Sequence, residues 1–253
     1  MKAPTLLAIG FSACCCPLLT LADNSQTKEL ETAQNRKEDA LIRSMLNQDW
    51  DKQSFSFPKI ILASSKKKVI PIDQGNPTHT AILKAIQEAT QRTIRDLNQT
   101  PLKQIKRINE VSRLAEDILC KHLNAQKSLQ CCIPLNSQGH AQRSGYPDLW
   151  ITHTGQNGKT THIYLDPKLY QRDSETSTLR TFYFKPRSST LKVQHHAIHL
   201  LLGIQHNGNQ GSWHFEHGTL CDLSELKVRF KAEFQASNRD IYRKPAIIQR
   251  SDD

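Results

Sequence analysis

Residues 145–170 read GYPDLWITHTGQNGKTTHIYLDPKLY. Two runs within this stretch alternate with the period of a β-strand. Leu149, Ile151, Ile163, Leu165 and Leu169 fall on one side, and Asp148, Trp150, Tyr164, Asp166 and Lys168 on the other. GQNGK supplies the turn between them. A three-residue hairpin loop takes a left-handed residue at its third position, and Gln156-Asn157-Gly158 puts glycine there. That loop length fixes the register: Asp148 lies opposite Asp166 on the same face, with Cβ atoms about 5 Å apart. A two-residue loop would send the pair to opposite faces.

Directly opposed carboxylates repel unless a cation lies between them, and a divalent metal suits two hard oxygen ligands. Lys168, two residues beyond Asp166, points the same way and delivers an ammonium beside that cation. A metal held by few protein ligands leaves positions for water and phosphate. Such a site polarises a phosphodiester and makes a water more acidic. Lys168 would position or help deprotonate that water, or stabilise the developing charge.

Pro147-Asp148, followed after a hairpin by Asp166-Pro167-Lys168, resembles the PD-(D/E)XK nuclease superfamily, the restriction-endonuclease-like fold. The likeness covers mainly residues 105–205. It implies an α/β protein with a mixed β-sheet core flanked by helices, here preceded by an N-terminal helical extension. It also implies Asp148 and Asp166 as ligands of Mg²⁺, with Mn²⁺ as a substitute, and Lys168 as the catalytic lysine. Glu110 or Glu116 would supply the acid that many members carry on the first core helix, with Glu116 preferred. The implied activity is endonucleolytic hydrolysis of phosphodiester bonds in DNA, with RNA also open. Pro167 departs from a regular ladder: it removes a strand donor, so a bulge or an unpaired edge is expected there.

The remainder of the chain sets the bounds. Its 253 residues carry a formal net charge of +10 and a pI near 9.3, which favours a polyanionic partner. Residues 1–22 read as a signal peptide cleaved before Asp23, giving a secreted or periplasmic protein. Cys14 after Ser12-Ala13 offers a lipoprotein alternative with membrane attachment. Export argues against a restriction role, which needs access to DNA in the cytoplasm. Cys120, Cys131, Cys132 and Cys221 remain beyond the signal, an even number compatible with disulfides and lacking zinc-type spacing. Residues 23–70 form a polar N-terminal extension with a helix over 28–47, and 71–253 form the nuclease-like domain.

Within that domain Asn76-Pro77 starts a helix with Ile82, Ile86, Ala89, Thr93 and Leu97 on its inner face. A second helix, over 102–124, carries Ile105, Ile108, Val111, Leu114, Ala115, Ile118 and Leu119. Beyond the hairpin, residues 180–186 begin as a strand. Periodicity leaves residues 189–206 open between helix and strand, and the family order favours a helix over 189–199 followed by a strand over 200–206. Leu226, Val228, Phe230, Ala232 and Phe234 alternate as a further strand. Lys185, Arg239, Arg243 and Lys244 are candidate phosphate contacts. Histidine pairs such as His195/His199 or His214/His217 suggest zinc, but no glutamate accompanies them in a His-Glu-x-x-His arrangement. No P-loop and no G-x-S-x-G elbow occurs. A noncatalytic exported nucleic-acid-binding or envelope protein that keeps the fold is the second class, motivated by Pro167.

Overall fold

The computed structural model describes residues 21–46, 49–50, 52–155, 158–179, 182–231, 233–242 and 247–249. It forms two compact units, Met1–Lys52 together with Ala232–Asp253, and Gln53–Lys231. The first contains helix α1 (Leu21–Leu46), on which Leu30, Leu41 and Leu46 are exposed. It also contains the single turn α5 (Asn238–Ile241), started by a capping box in which Ser237 and Asp240 bond reciprocally. Among the described residues no helix is long and apolar enough to cross a membrane. The boundary drawn from composition at residue 70 falls inside the second unit.

That unit runs β1 (Ser54–Ser56), α2 (Phe57–Ser65), β2 (Val69–Ile70), α3 (Pro77–Gln99), α4 (Ile108–Asn124), β3 (Leu129–Cys132), β4 (Leu149–Thr154), β5 (Thr160–Gln171), β6 (Ala197–His206), β7 (Phe215–Asp222) and β8 (Lys227–Arg229). The main sheet has the order β2-β6-β5-β4-β3, and β7 also pairs with β6. β6 runs parallel to β5 and β2, while the other pairings in this sheet are antiparallel. The fold is therefore a mixed α/β structure with a central mixed sheet flanked by helices, consistent with the restriction-endonuclease-like arrangement.

The helices form where side-chain spacing and capping agree. Asn76 Oδ1 accepts from the Thr78 and His79 amides, and Pro77 follows at the first helical position, where its missing N–H is not needed. Ile82, Ile86, Ala89, Thr93 and Leu97 are buried along α3. The second helix starts at Ile108, later than the apolar spacing predicts. The Trp213 indole N–H takes the Ile105 carbonyl at 2.8 Å, a group that a helix begun at residue 102 would offer to the Asn109 amide. α3 and α4 bury Ile86, Val111, Leu119 and their neighbours against Leu149, Ile151, Ile163, Leu165, Leu200 and Leu202 on one sheet face. On the opposite face α2 packs Phe57 and Ile61 against Tyr146, Tyr164, Val193 and Ala197.

Three predicted elements differ from the structure. The helix expected over 189–199 is absent: a single 3₁₀ turn, Ser188–Thr190, leads into extended chain and then into β6. Ile198, Leu200, Leu202 and Ile204 are at most 2% exposed, and β6 is covered on both faces. A centrally placed strand loses its polar alternation and then resembles a buried helix. Residues 182–187 form no strand. Phe182 and Phe184 instead turn edge-on to the Phe57 ring, with centroids 5.4 and 6.1 Å away. The strand over 226–234 shrinks to β8, which pairs only with the three residues of β1.

Candidate active site

The β4–β5 hairpin places the chemistry. Leu149 pairs with Leu165 and Trp150 with Tyr164, continuing to Thr154 with Thr160, which is the register expected from a three-residue loop. Gly155 and Gly158 close the turn, and Gly158 sits at φ +75°, where a Cβ-bearing residue would be strained. Gln156 and Asn157 lie outside the described residues. Pro167 causes no bulge, since β5 keeps an unshifted parallel register with β6 through Asp166, Pro167 and Lys168. β4 ends at Leu149, so beyond Leu165 its flank of β5 is open, and the edge expected around Pro167 is found there.

Asp148, Asp166 and Lys168 converge on the sheet face opposite the larger core. Lys168 Nζ donates to Asp148 Oδ2 at 3.0 Å and forms an ion pair with Asp166 Oδ2 at 2.8 Å. Two oxygens held on one nitrogen at these distances are near neighbours, and one hard cation at about 2.1 Å from each would bridge them once they stand within about 4 Å of each other. The Asp166 side chain is 3% exposed, and its Oδ2 has no partner of hydrogen-bond geometry. Burial, with the Asp148 charge adding to it against the pull of Lys168, pushes the Asp166 carboxyl up to about 7. Burial alone would lower Lys168, but the two carboxylates outweigh it and hold its pKa above the usual value.

Glu116 on α4 lies within electrostatic reach of this cluster. Burial first, and then the Asp148 charge, raise its pKa, and Arg143 reaches it at 3.5 Å while bonding Asp117 at 2.6 Å. Glu110 is exposed in the first turn of α4. A negative charge there complements the helix dipole. The structure thus brings Glu116, and not Glu110, to the aspartate pair. Among the described residues no group of three or more His, Cys, Asp or Glu side chains is arranged to hold a metal ion. What fits a cation is the aspartate pair itself: two hard oxygen donors, one of them buried and lacking a hydrogen-bond partner.

Lys185 is exposed between Phe184 and Pro186, and Arg239 is exposed on α5 in the first compact unit; Arg243 and Lys244 lie outside the described residues. The histidines do other work than zinc ligation. His195 stacks on His162 at 4.0 Å and on Trp150 at 4.8 Å, and its segment is extended, so the helical spacing to His199 does not exist. His199 is buried, with Nδ1 2.7 Å from the Tyr146 hydroxyl, and burial pushes its pKa down to about 3, so it is neutral. His214 and His217 are exposed. Cys120, Cys131, Cys132 and Cys221 are free thiols and form no disulfide.

Lys192 has no signal in the sequence, being one lysine between Leu191 and Val193 in a strand-like run. It is 1% exposed and donates to the carbonyls of Gln142, at 3.1 Å, and Gly145. Burial lowers its pKa to about 8 against the opposing pull of Asp148, Asp166 and Glu116.

Residues 46–245 match the model of the type II restriction enzyme MjaV family. The type II restriction enzyme MjaV of Methanocaldococcus jannaschii is 29% identical over 209 residues, covering 79% of this chain and 90% of that protein. The matched span contains the hairpin, α4 and every residue of the cluster described above, and the chain belongs to the type II restriction enzyme MjaV family.

Proposed function

We propose that the chain is a metal-dependent DNA endonuclease of the PD-(D/E)XK type, with Asp148 and Asp166 holding Mg²⁺ and Mn²⁺ able to replace it. The observation that carries this is the convergence of both aspartates on Lys168, within a span that matches a restriction-enzyme family. When bound, a divalent cation neutralises charge on the phosphodiester and makes a water more acidic. Lys168, kept protonated by its two carboxylate neighbours, acts as a donor to the negative charge that grows on the phosphoryl oxygens, and not as the base. Asp148 orients that ammonium by accepting its hydrogen bond, and Asp166 holds it by charge. Glu116 adds a third negative charge near Asp148, held in place by Arg143.

Incubation of the purified protein with plasmid and linear DNA decides the matter. Cleavage is expected with Mg²⁺ or Mn²⁺ and is expected to stop when EDTA is added. Parallel single-stranded DNA and RNA arms define the substrate. Binding without cleavage under every condition would favour the noncatalytic reading. The motive for that reading was Pro167, which sits in an unbroken strand.

The family match favours a restriction role over the exported one that residues 1–22 suggest. Those first residues remain the basis for proposing export, and sequencing of the mature N-terminus tests it. Asp23 at the N-terminus supports a cleaved signal, and Met1 refutes it.

A further inference from the structure

The segment from the 3₁₀ turn to β6 does more than lead into that strand. Ser188 O accepts from the Ser137 hydroxyl, and Gln194 Nε2 donates to the Leu135 and Asn136 carbonyls, both at 3.0 Å. Between these points the Lys192 ammonium caps the carbonyls of Gln142 and Gly145. The Gln194 amide in turn bonds the Tyr164 hydroxyl at 2.8 Å, which ties the segment to the strand that carries Asp166. The pinned loop is short and leads directly into the site: only Tyr146 and Pro147 separate Gly145 from Asp148. Gln142 and Asn136 bond each other inside the loop, and Arg143, which pairs with Asp117 and Glu116, projects from it.

A fully buried ammonium is an expensive way to satisfy two backbone carbonyls, because removing the charge from water costs several kcal/mol and an apolar side chain of the same volume is often at least as stable. Folding alone does not require one here. Its two acceptors lie on the loop that runs into Asp148, within electrostatic reach of Asp148, Asp166 and Glu116, and this gives it a use: a fixed positive charge near acids that must stay close together.

We propose that Lys192 is a positioning residue for the nuclease site, whose buried ammonium fixes the 142–145 loop and so the place of Asp148 relative to Asp166 and Lys168. This rests on the nuclease reading above for its consequence but not for its geometry. Lys192 acts through Asp148, and touches no substrate.

Lys192→Met keeps the aliphatic stem and removes both hydrogen bonds and the charge. Two measurements on the full chain separate the parts. Trypsin cleavage after Arg143, followed by mass spectrometry without DNA, is expected to accelerate about tenfold as the loop is released. Single-turnover cleavage of plasmid with Mg²⁺ is expected to slow roughly 10–100-fold, while DNA affinity in Ca²⁺ stays within about threefold, as for loss of a group that orients a metal ligand. Should the methionine variant fail to give a cooperative melt, Lys192→Gln, a neutral donor of shorter reach, replaces it in both measurements. Unchanged protection of Arg143 overturns the pinning. Faster proteolysis with an unchanged cleavage rate overturns the link to Asp148. If the wild-type protein cleaves no DNA, the nuclease reading fails while the proteolysis result still decides the pinning.

Discussion

Lys168→Met is expected to reduce single-turnover DNA cleavage by roughly 10²–10³-fold, the range seen when one preorganised donor to a developing oxyanion is removed. The fold and DNA binding are expected to survive. The side chain is 30% exposed, and methionine matches the length of its aliphatic stem, so most of the packing is kept. Electrostatics point the same way. Without the ammonium, Asp166 and Asp148 face each other uncompensated, and the buried Asp166, already pushed up to about 7, retains a proton more firmly. A carboxyl pair that shares a proton is neutral enough to stay folded, whereas the rate loses the charge that a protonated lysine supplies to the transition state. A gel-shift measurement in Ca²⁺ and a thermal melt accompany the rate measurement. A methionine variant cleaving at the wild-type rate would remove Lys168 from the chemistry.

How much of this was legible in sequence depended on whether the controlling interactions were local. The hairpin register was, because loop length and one glycine determine it: Gly158 is left-handed, and with it Leu149 meets Leu165 and the aspartates share a face. The inner face of α3 was legible because a 3.6-residue period and an Asn-Pro start agree. What failed depended on partners distant in sequence. β6 reads equally as helix or strand until β5, β2 and β7 are placed around it, since a strand buried on both faces has no polar side to reveal its period. The start of α4 is set by Trp213, more than a hundred residues away. Glu116 and Glu110 are both acids on one helix, and only the position of Asp148 beside that helix distinguishes them. Lys192 is the extreme case. Its burial and both acceptors follow from a long-range clamp, and nothing in Leu-Lys-Val announces it.

Asp166→Asn is expected to abolish cleavage and, in the presence of chelator, to make the protein more stable at pH 8. The carboxylate is 3% exposed, with one oxygen lacking a hydrogen-bond partner. Its pKa of about 7 in the folded state, against about 3.9 in an unfolded chain, means that the native state holds a proton the unfolded state has released between those values. The Asp166 contribution to stability is therefore fully present below about pH 4 and is lost as pH rises through about 7. Each pK unit is worth about 1.4 kcal/mol, and the shared charge with Asp148 and Lys168 reduces what can be assigned to one residue, so the loss by pH 8 is on the order of 2–4 kcal/mol. Asparagine carries no charge at any pH and keeps an oxygen for the lysine. Urea midpoints in EDTA should therefore be higher for the variant at pH 8 by an amount equivalent to about 2 kcal/mol, and the two proteins should converge toward pH 4.5. Equal stability at pH 8, or a gap that does not change with pH, would show that Asp166 is not held at a loss in the metal-free fold. The expected gap has the sign that the proposed site calls for: a carboxylate that weakens the metal-free fold would be compensated by the cation it is proposed to hold.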